Sequence, residues 1–450
     1  MNEPHKTDFL GRDAIFPLLL KMGIPAAVGM LVNALYNVVD TIFVGHGVGP
    51  LAIAALSIVF PLQMIVSAVA QALGVGAASI VSRRLGEKRP DAAAAAMGTA
   101  YTAVMLVTAV LVALVLAFTR PILGFFGASE AVMPYALSYT RIVAAGFFFF
   151  SMSMCASNLV RAEGNAKASM MGMLLGAGLN TVLDPIFIFG FRMGVAGAAV
   201  ATVISQVVSC SYLFSLYFRK KSHVPIGRSD LRIEPSALRD EALLGVPAFV
   251  QSAGMSLLAL LINNTLGRYG GDLAISTYGM NHKILSIVIM PILGIIQGFQ
   301  PIAGYNYGAK RFDRVRQSLK TAVLTALTVS LAGYAFMMLA PRAAIGMFTS
   351  DAELIASSAR VLRIMVLFIP LASLQITGST YFQAVGKKTQ SMMLGLSRQF
   401  LLLIPIVLIL PLFIGVDGVW MAFPIADLAS TALTLALLVR ELRHLEDRSA

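Results

Sequence analysis

Long apolar runs separated by short polar breaks fill almost the whole chain. Each run has about 20 residues or more, which is enough for a helix to cross the roughly 30 Å hydrocarbon core of a bilayer. The pattern predicts twelve membrane spans, with approximate limits 14–44, 51–81, 92–118, 131–158, 166–190, 194–218, 238–267, 272–302, 318–340, 353–384, 390–413 and 418–440. We therefore expect an all-α polytopic membrane protein with short loops.

The composition supports a membrane protein and explains the surplus of positive charge. Of the 450 residues, 58% are hydrophobic and 12% are charged, and the mean hydropathy of +0.81 excludes an ordinary soluble globular protein. The net charge is +12, yet the odd-numbered loops, which lie on one predicted side, contain only four basic residues: Arg120, Arg192, Arg268 and Arg342. Because basic residues favour cytoplasmic loops, we expect both termini in the cytoplasm, a lipid bilayer as partner and no nucleic acid.

The sequence repeats itself after 222 residues. "GIPA" at Gly23 aligns with "GVPA" at Gly245, and "SMM" at Ser169 aligns with "SMM" at Ser391. Each half holds six spans, an even number, so both halves enter the membrane in the same orientation. Such a parallel repeat of two six-helix bundles is typical of transporters whose substrate site lies between the bundles.

The repeat predicts the domain organisation. Residues 1–218 are expected to form an N-lobe of spans 1 to 6 that carries the coupling-ion site, and residues 241–450 a C-lobe of spans 7 to 12. The polar segment 219–240 is expected to join them as a cytoplasmic linker. Because each lobe has the other as its partner, a monomer is sufficient for function.

Two acidic residues in the first half interrupt the apolar pattern. Asp40 in span 1 and Asp184 in span 5 align with Ile262 and Ile406 in the second half. A charged side chain near the middle of a bilayer costs a few kcal/mol or more, so such acids indicate function. At 1.5 Å per residue both lie roughly 8–9 Å below the outer loops, and Thr202 in span 6 lies at a similar depth. We therefore expect the ionisable chemistry to belong to the N-terminal half.

Polar neighbours share a helix face with each acid. One stripe on span 1 has the spacing i, i+3, i+4 and i+7 and consists of Asn33, Tyr36, Asn37 and Asp40, while Asn180 lies one turn from Asp184. The stripe either lines a cavity or forms a hydrogen-bonded network that only fixes helix packing. Two acids with no basic residue at their depth in these spans favour a site for H⁺ or Na⁺; no other metal and no cofactor is expected.

Span 1 also contains a predicted hinge. Pro25 lies fifteen residues before Asp40 and removes a backbone hydrogen bond, so it favours a kink that either bends during function or stays fixed. Polar side chains elsewhere in the spans are predicted to line a substrate cavity: Asn33, Asn37, Asn158, Gln206, Gln251, Lys283 and Gln297. The sequence has no HExxH motif, nucleophile elbow or complete phosphate loop, so we do not expect an enzyme.

Several segments in this order are characteristic of one family. They are "NALYNVVDTIFVG" in span 1, "GVGAASIVSRRLGEKR" closing span 2, "RAEGNAKASMMGMLLGAGLNTVLDPIFIFG" through span 5 and "GVAGAAVATVISQ" opening span 6. Together they resemble the multidrug and toxic compound extrusion (MATE) transporters, in particular the DinF-like and MepA-like bacterial branch. The resemblance covers nearly the whole chain.

The resemblance implies efflux of organic cations and drugs by antiport through alternating access in a bacterial cytoplasmic (inner) membrane, a function associated with antibiotic resistance. In the DinF-like branch the coupling-ion cluster matches Asp40, Tyr36, Asn180, Asp184 and Thr202, and protonation is thought to bend span 1 near the proline that matches Pro25. The acids that NorM-like relatives use in spans 7 and 10 have no counterpart, which favours proton coupling. A sodium-coupled drug antiporter stays open, as does a lipid-linked saccharide flippase, although flippases usually have fourteen spans and a basic cavity.

Overall fold

The computed structural model describes residues 7–219, 222–227 and 229–449, and these residues form helices without any strand. Ten of the helices are long and apolar enough to cross a membrane. One of them, Pro235–Gly308, turns at Gly271, where φ is +65°, and so supplies two spans. A further pair, Ala352–Met365 and Ile369–Ala384, is bent by 51° and supplies one more. The described residues thus contain the twelve predicted spans.

The limits of the spans agree with the sequence pattern to within a few residues at most ends. Spans 1 to 6 are Ile15–Gly47, Pro50–Gly86, Pro90–Ala117, Met133–Ala162, Ala166–Pro185 with its continuation Ile186–Gly190, and Val195–Phe218. Spans 7 to 12 are 235–270, 272–308, Phe312–Leu339, the bent pair, Lys388–Ile414 and Val416–Ser449. Short helices precede span 1 and lie in two loops, at Phe9–Arg12, Thr119–Phe125 and Pro341–Gly346.

Two spans contain a π-helical segment. In span 5 it is Ile186–Gly190, which follows Pro185, and in span 11 it is Ser397–Leu403. Pro185 lacks the N–H that would continue the α-helical ladder, which favours the wider turn in span 5. Since π-helical turns often occur at functional sites, both segments are candidate functional positions.

The described chain divides into two compact units that differ from the predicted lobes. The first unit contains residues 7–9 and Val28–Ser252, and the second contains Leu10–Ala27 and residues 253–449. The first half of span 1 therefore belongs to the unit that holds spans 8 to 12. The first half of span 7 belongs to the unit that holds spans 2 to 6. The division at 218 and 241 inferred from the repeat stays a prediction.

The first halves of spans 1 and 7 are thus exchanged between the units, and close glycine contacts accompany this exchange of half-spans. In the first unit, Gly245 of span 7 lies against the backbone of Ala72 in span 2. In the second unit, Gly298 of span 8 lies against Gly23 of span 1, where an added Cβ would stand 2.5 Å from the backbone nitrogen. Gly23 and Gly245 are the glycines of "GIPA" and "GVPA", so the repeated motif marks two equivalent close crossings.

Alanine at one of these crossings is expected to destabilise the protein strongly. Gly245→Ala and Gly298→Ala each place a methyl group against backbone atoms, which cannot move aside as a side-chain end can. We expect each variant to lose about 1–3 kcal/mol or more. Fluorescence-detected size exclusion and thermal unfolding in detergent measure the loss. The matched control is Gly178→Ala in span 5, because no atom lies within 4 Å of that Cβ. Equal stability of all three variants would show that the crossings are not close-packed.

Candidate functional site

Spans 1, 5 and 6 bring the predicted polar residues of the first unit together. The Asn180 side-chain amide donates to Asp184 Oδ1 at 3.2 Å and to Thr202 Oγ1 at 3.4 Å. The Thr202 hydroxyl in turn donates to the Ala198 carbonyl oxygen at 2.9 Å, which fixes its rotamer. The carboxyl groups of Asp40 and Asp184 are in hydrogen-bonding contact. The similar depth of these residues in the sequence therefore corresponds to one cluster in space.

The cluster is enclosed and rich in acceptors. The exposed fraction is 0% for Asp184, 2% for Asn180 and 6% for Thr202, while Asp40 is half-buried. Three buried oxygens accept no hydrogen bond from the described residues: Asp40 Oδ1, Asp184 Oδ2 and Asn180 Oδ1. Two carboxyl groups in contact share a proton or else repel each other as carboxylates. The same oxygens are the ligand type that a hard cation prefers. The arrangement can thus hold a proton or a small cation.

A tyrosine that sequence reasoning overlooked completes the cluster. Tyr139 of span 4 is buried, its hydroxyl is hydrogen-bonded to Thr202, and it interacts electrostatically with Asp40, Asp184 and Tyr36. It lies six residues after the start of span 4 at Met133, about 9 Å along the helix. The same comparison of depths that linked the two acids would have found it.

Local structure around Asp184 is irregular in a way that positions the acid. Pro185 follows it directly, and the π-helical turn Ile186–Gly190 comes next. Span 6 packs closely on this turn, because a Cβ at Gly197 would stand 2.8 Å from the carbonyl carbon of Phe187. Span 5 and span 6 are therefore held together just outside the cluster, which keeps Asn180 and Thr202 within reach of each other.

The residues predicted to line a substrate cavity are spread over both units. In the first unit Asn33 and Gln251 are exposed, and Gln206 is half-buried with an Oε1 that accepts no hydrogen bond from the described residues. In the second unit Lys283 is exposed and Gln297 is half-buried. The side chain of Asn37 lies outside the described residues. A common cavity wall stays a prediction.

Asn158 and Pro25 have clear surroundings. Asn158 is buried and donates to Gln71 Oε1 at 2.7 Å, while its own Oδ1 accepts from the Arg161 guanidinium at 2.7 Å. These bonds tie span 4 to span 2 and occupy both ends of the Asn158 amide. Pro25 lies inside the continuous helix Ile15–Gly47, two residues before Ala27, the last residue of span 1 that belongs to the second unit.

Ionisable side chains inside the spans are not confined to the N-terminal half, although the placement of the coupling-ion site there stays a prediction. Arg398 of span 11 and Asp427 of span 12 form an ion pair in the second unit, with 2.6 Å between Nε and Oδ1. The Asp427 side chain is 3% exposed, and both residues lie about ten positions inside apolar helices. The π-helical segment Ser397–Leu403 contains Arg398. Each residue alone looks anomalous in its span, and the sequence gives no direct sign that they meet.

Glu163, which follows span 4 in "RAEGN", is a second buried acid of the first unit. Its carboxylate accepts hydrogen bonds from the Ser222 hydroxyl at 2.6 Å and from the backbone N–H groups of His223 at 2.7 Å and Val224 at 3.4 Å. Burial raises the pKa of Glu163 to about 7, and these hydrogen bonds oppose the rise in part. Glu163 thereby anchors the segment after span 6 to the end of span 4.

The raised pKa of Glu163 predicts a pH-dependent stability. Between its ordinary value of 4.5 and about 7, the folded protein holds a proton that the unfolded chain has released. Stability from this group is therefore complete below the ordinary pKa and is lost as the pH rises through the folded value. We expect a loss on the order of 2–3 kcal/mol between about pH 5 and pH 8.

Thermal unfolding across this pH range, compared between wild type and Glu163→Gln, tests the prediction. The Gln variant should show a flatter profile, because it has no proton to lose. Glu87→Gln is the control, since Glu87 is an exposed acid paired with Arg84. A Glu163→Gln profile as steep as that of wild type would contradict the assignment.

Comparison with known proteins places this architecture in a transporter class. The MatE family model matches residues 25–186 and 247–409, two stretches that begin 222 positions apart, as the repeat requires. The chain belongs to the MatE family, and the resemblance to multidrug and toxic compound extrusion transporters is confirmed. With its apolar helices, it is a multi-pass membrane protein.

Individual relatives extend over the whole chain. Multidrug export protein MepA of Staphylococcus aureus (strain NCTC 8325 / PS 47) is 26% identical over 436 residues, which is 97% of this chain and 96% of that protein. Crystal structures of a MATE protein in the straight and in the bent conformation superpose with TM-scores of 0.92 and 0.91, at 27% and 26% identity. The straight structure covers 99% of this chain and the bent structure 100%, and all of each structure's chain is matched.

Proposed function

We propose that this protein exports organic cations from the cytoplasm in exchange for H⁺. The single observation that carries the proposal is the contact between Asp40 and Asp184 inside a buried cluster of acceptors. A cluster that gains and loses one proton has the chemistry that antiport needs. The name of the MepA relative, a multidrug export protein, supports drugs as substrates.

Exchange follows from competition for the same negative charge. When the Asp40–Asp184 pair loses its proton, Asn180, Thr202 and Tyr139 supply polar groups but no positive charge. A carboxylate pair in a low-dielectric site is costly, so a bound organic cation compensates it favourably. Return of a proton removes that attraction. Proton and cation therefore bind with reciprocal negative coupling, which is the thermodynamic basis of antiport.

Span 1 transmits the change. Asp40 and Pro25 lie on the same helix, about four turns apart. Protonation alters the attraction between Asp40 and span 5, and a helix containing proline bends at that point more readily than elsewhere. We propose that span 1 bends at Pro25 when the pair is protonated, and that this bending accompanies alternating access. The protein would act in a bacterial cytoplasmic membrane, with both termini in the cytoplasm, as a monomer.

Proton coupling is favoured over sodium coupling by the direct carboxyl–carboxyl contact. A bound Na⁺ would need several oxygen ligands around it, with the two carboxyl groups far enough apart to leave room for the ion. Two carboxyl groups in contact are instead suited to share a proton. No oxygen donors from the second half of the repeat are needed for this arrangement. An experiment has to distinguish H⁺ from Na⁺, because carboxyl and amide oxygens are suited to hold either ion.

Transport of ethidium in proteoliposomes tests the proposal. An imposed pH gradient without sodium is compared with an imposed sodium gradient at uniform pH. Ethidium movement driven by the pH gradient alone supports proton antiport. Movement that follows only the sodium gradient would replace H⁺ by Na⁺, and no movement under either gradient would remove the organic-cation substrate.

A further inference from the structure

The second unit contains a pocket of about 690 Å³ between the C-terminal parts of spans 10 and 12 and the N-terminal end of span 11. Its polar wall includes Lys387, Arg440, Arg443 and His444, and its apolar wall includes Phe382 and Val439. The pocket belongs to one unit and is remote in sequence from the acids of spans 1 and 5. Its wall combines a cationic part with a hydrocarbon part.

The acidic residue in the pocket does not cancel its positive charge. Glu441 is buried, forms an ion pair with Lys387 and accepts a hydrogen bond from the Tyr381 hydroxyl at 3.3 Å. Arg440 and Arg443 are exposed, and neither forms an ion pair within the described part of the chain. Two guanidinium groups three positions apart on one helix lie on the same face. The pocket therefore presents two arginines that are available to an anion.

Phosphate is the anion that suits this pair. Guanidinium groups bind phosphate oxygens through two parallel charge-assisted hydrogen bonds, and arginine is favoured over lysine for such contacts. His444 adds a further donor at the same rim. A free phosphate and the phosphate of a lipid headgroup share this chemistry, so the surroundings of the pocket must distinguish between them.

The outer surface of span 12 points to a lipid. Leu428, Leu435 and Val439 are 48%, 43% and 47% exposed, and their spacing of seven and four residues places them in one stripe. Continuing by four residues, the stripe reaches Arg443. Arg440 lies 24 residues after Val416, or about 36 Å along the helix, which is the level of the headgroups beyond a 30 Å hydrocarbon core.

We propose that this pocket binds the phosphate of an anionic phospholipid from the cytoplasmic leaflet. Arg440 and Arg443 hold the phosphate, and an acyl chain lies along the stripe of Leu428, Leu435 and Val439. The site is separate from the transport cluster and does not depend on which ion drives transport. Basic pockets at the cytoplasmic ends of membrane helices are suited to anionic headgroups.

Native mass spectrometry of the full-length protein from nanodiscs tests the proposal. The nanodiscs contain phosphatidylcholine with a minor fraction of phosphatidylglycerol, and the bound anionic lipid is counted after release. Arg440→Ala/Arg443→Ala should lower the apparent affinity for phosphatidylglycerol by roughly tenfold or more. The control Arg239→Ala/Lys320→Ala removes two exposed charges elsewhere and should retain the lipid. Equal retention in both double variants would overturn the site.

Two further measurements distinguish lipid phosphate from free phosphate and control for misfolding of the alanine variant. Inorganic phosphate is titrated into the lipid-free protein in detergent, and binding as tight as that of phosphatidylglycerol would show a soluble phosphate site and contradict the lipid. Arg440→Lys/Arg443→Lys keeps the charge but loses the paired hydrogen bonds, so an intermediate affinity is expected. Should the alanine pair not fold, the lysine pair decides, and wild-type affinity in it would contradict arginine-specific phosphate binding.

Discussion

Asp184→Asn is expected to lower the rate of proton-driven ethidium transport by about 5- to 150-fold. This factor corresponds to a typical coupling free energy of about 1–3 kcal/mol between two ligands. Asparagine has nearly the same shape as aspartate and still accepts the hydrogen bond from Asn180, but it cannot exchange a proton. Without that exchange, protonation no longer competes with the cation. Initial rates in proteoliposomes under a fixed pH gradient measure the effect.

The control for this variant is Glu353→Gln, which removes an exposed carboxylate at the outer start of span 10. It should transport as wild type does. Thermal unfolding of both variants shows whether a loss of rate reflects a loss of fold. A folded Asp184→Asn protein that transports at the wild-type rate under the pH gradient would exclude Asp184 as the coupling group.

Breaking the Arg398–Asp427 pair is expected to destabilise the protein by about 3–5 kcal/mol, because removal of either partner leaves a charge buried in the membrane interior. Arg398→Met and Asp427→Leu should therefore unfold at clearly lower temperature in detergent. The double variant Arg398→Met/Asp427→Leu removes both charges and should recover most of the lost stability. Thermal unfolding of the wild type and the three variants supplies the double-mutant cycle.

An exposed ion pair provides the comparison. Arg360 Nη2 and Asp417 Oδ2 are 3.2 Å apart, and the two side chains are 71% and 48% exposed. Arg360→Met should cost no more than about 1 kcal/mol, since solvent screens such pairs. If Arg398→Met proved as mild as Arg360→Met, the interior pair would not stabilise this fold.

Much of the fold follows from the hydrophobic pattern, because a bilayer demands apolar helices of a minimum length. The largest differences are at polar ends: span 9 begins at Phe312 rather than near 318, and span 12 continues to Ser449. Both extensions contain charged residues, such as Asp313 and Arg443, that an apolar run does not include. Helices continue into the interface, where water and headgroups solvate such side chains.

The exchange of half-spans could not be predicted from the pattern. The repeat aligns Gly23 with Gly245 whether span 1 packs within its own half or in the other. Only tertiary contacts decide, and they place Gly23 against Gly298 and Gly245 against Ala72. A sequence shows that two positions are equivalent, and packing shows which surfaces they meet.

The candidate site was predictable where a residue was conspicuous by itself. Asp40 and Asp184 stand out because carboxylates are rare in apolar helices. Tyr139 does not, since tyrosine is common in membrane helices and only its contacts with Thr202 and Asp40 reveal it. Arg398 and Asp427 are equally conspicuous by themselves, but they lie on different spans and only the tertiary structure shows that they pair.

The most direct test of the central claim is proton release on substrate binding. Purified protein in weakly buffered detergent solution, near neutral pH and without sodium, is mixed with tetraphenylphosphonium while a pH-sensitive dye records free protons. If cation and proton compete for the Asp40–Asp184 pair, wild type should release protons as the cation saturates, and Asp40→Asn should release far fewer. Saturable cation binding by wild type with no proton release would contradict the account.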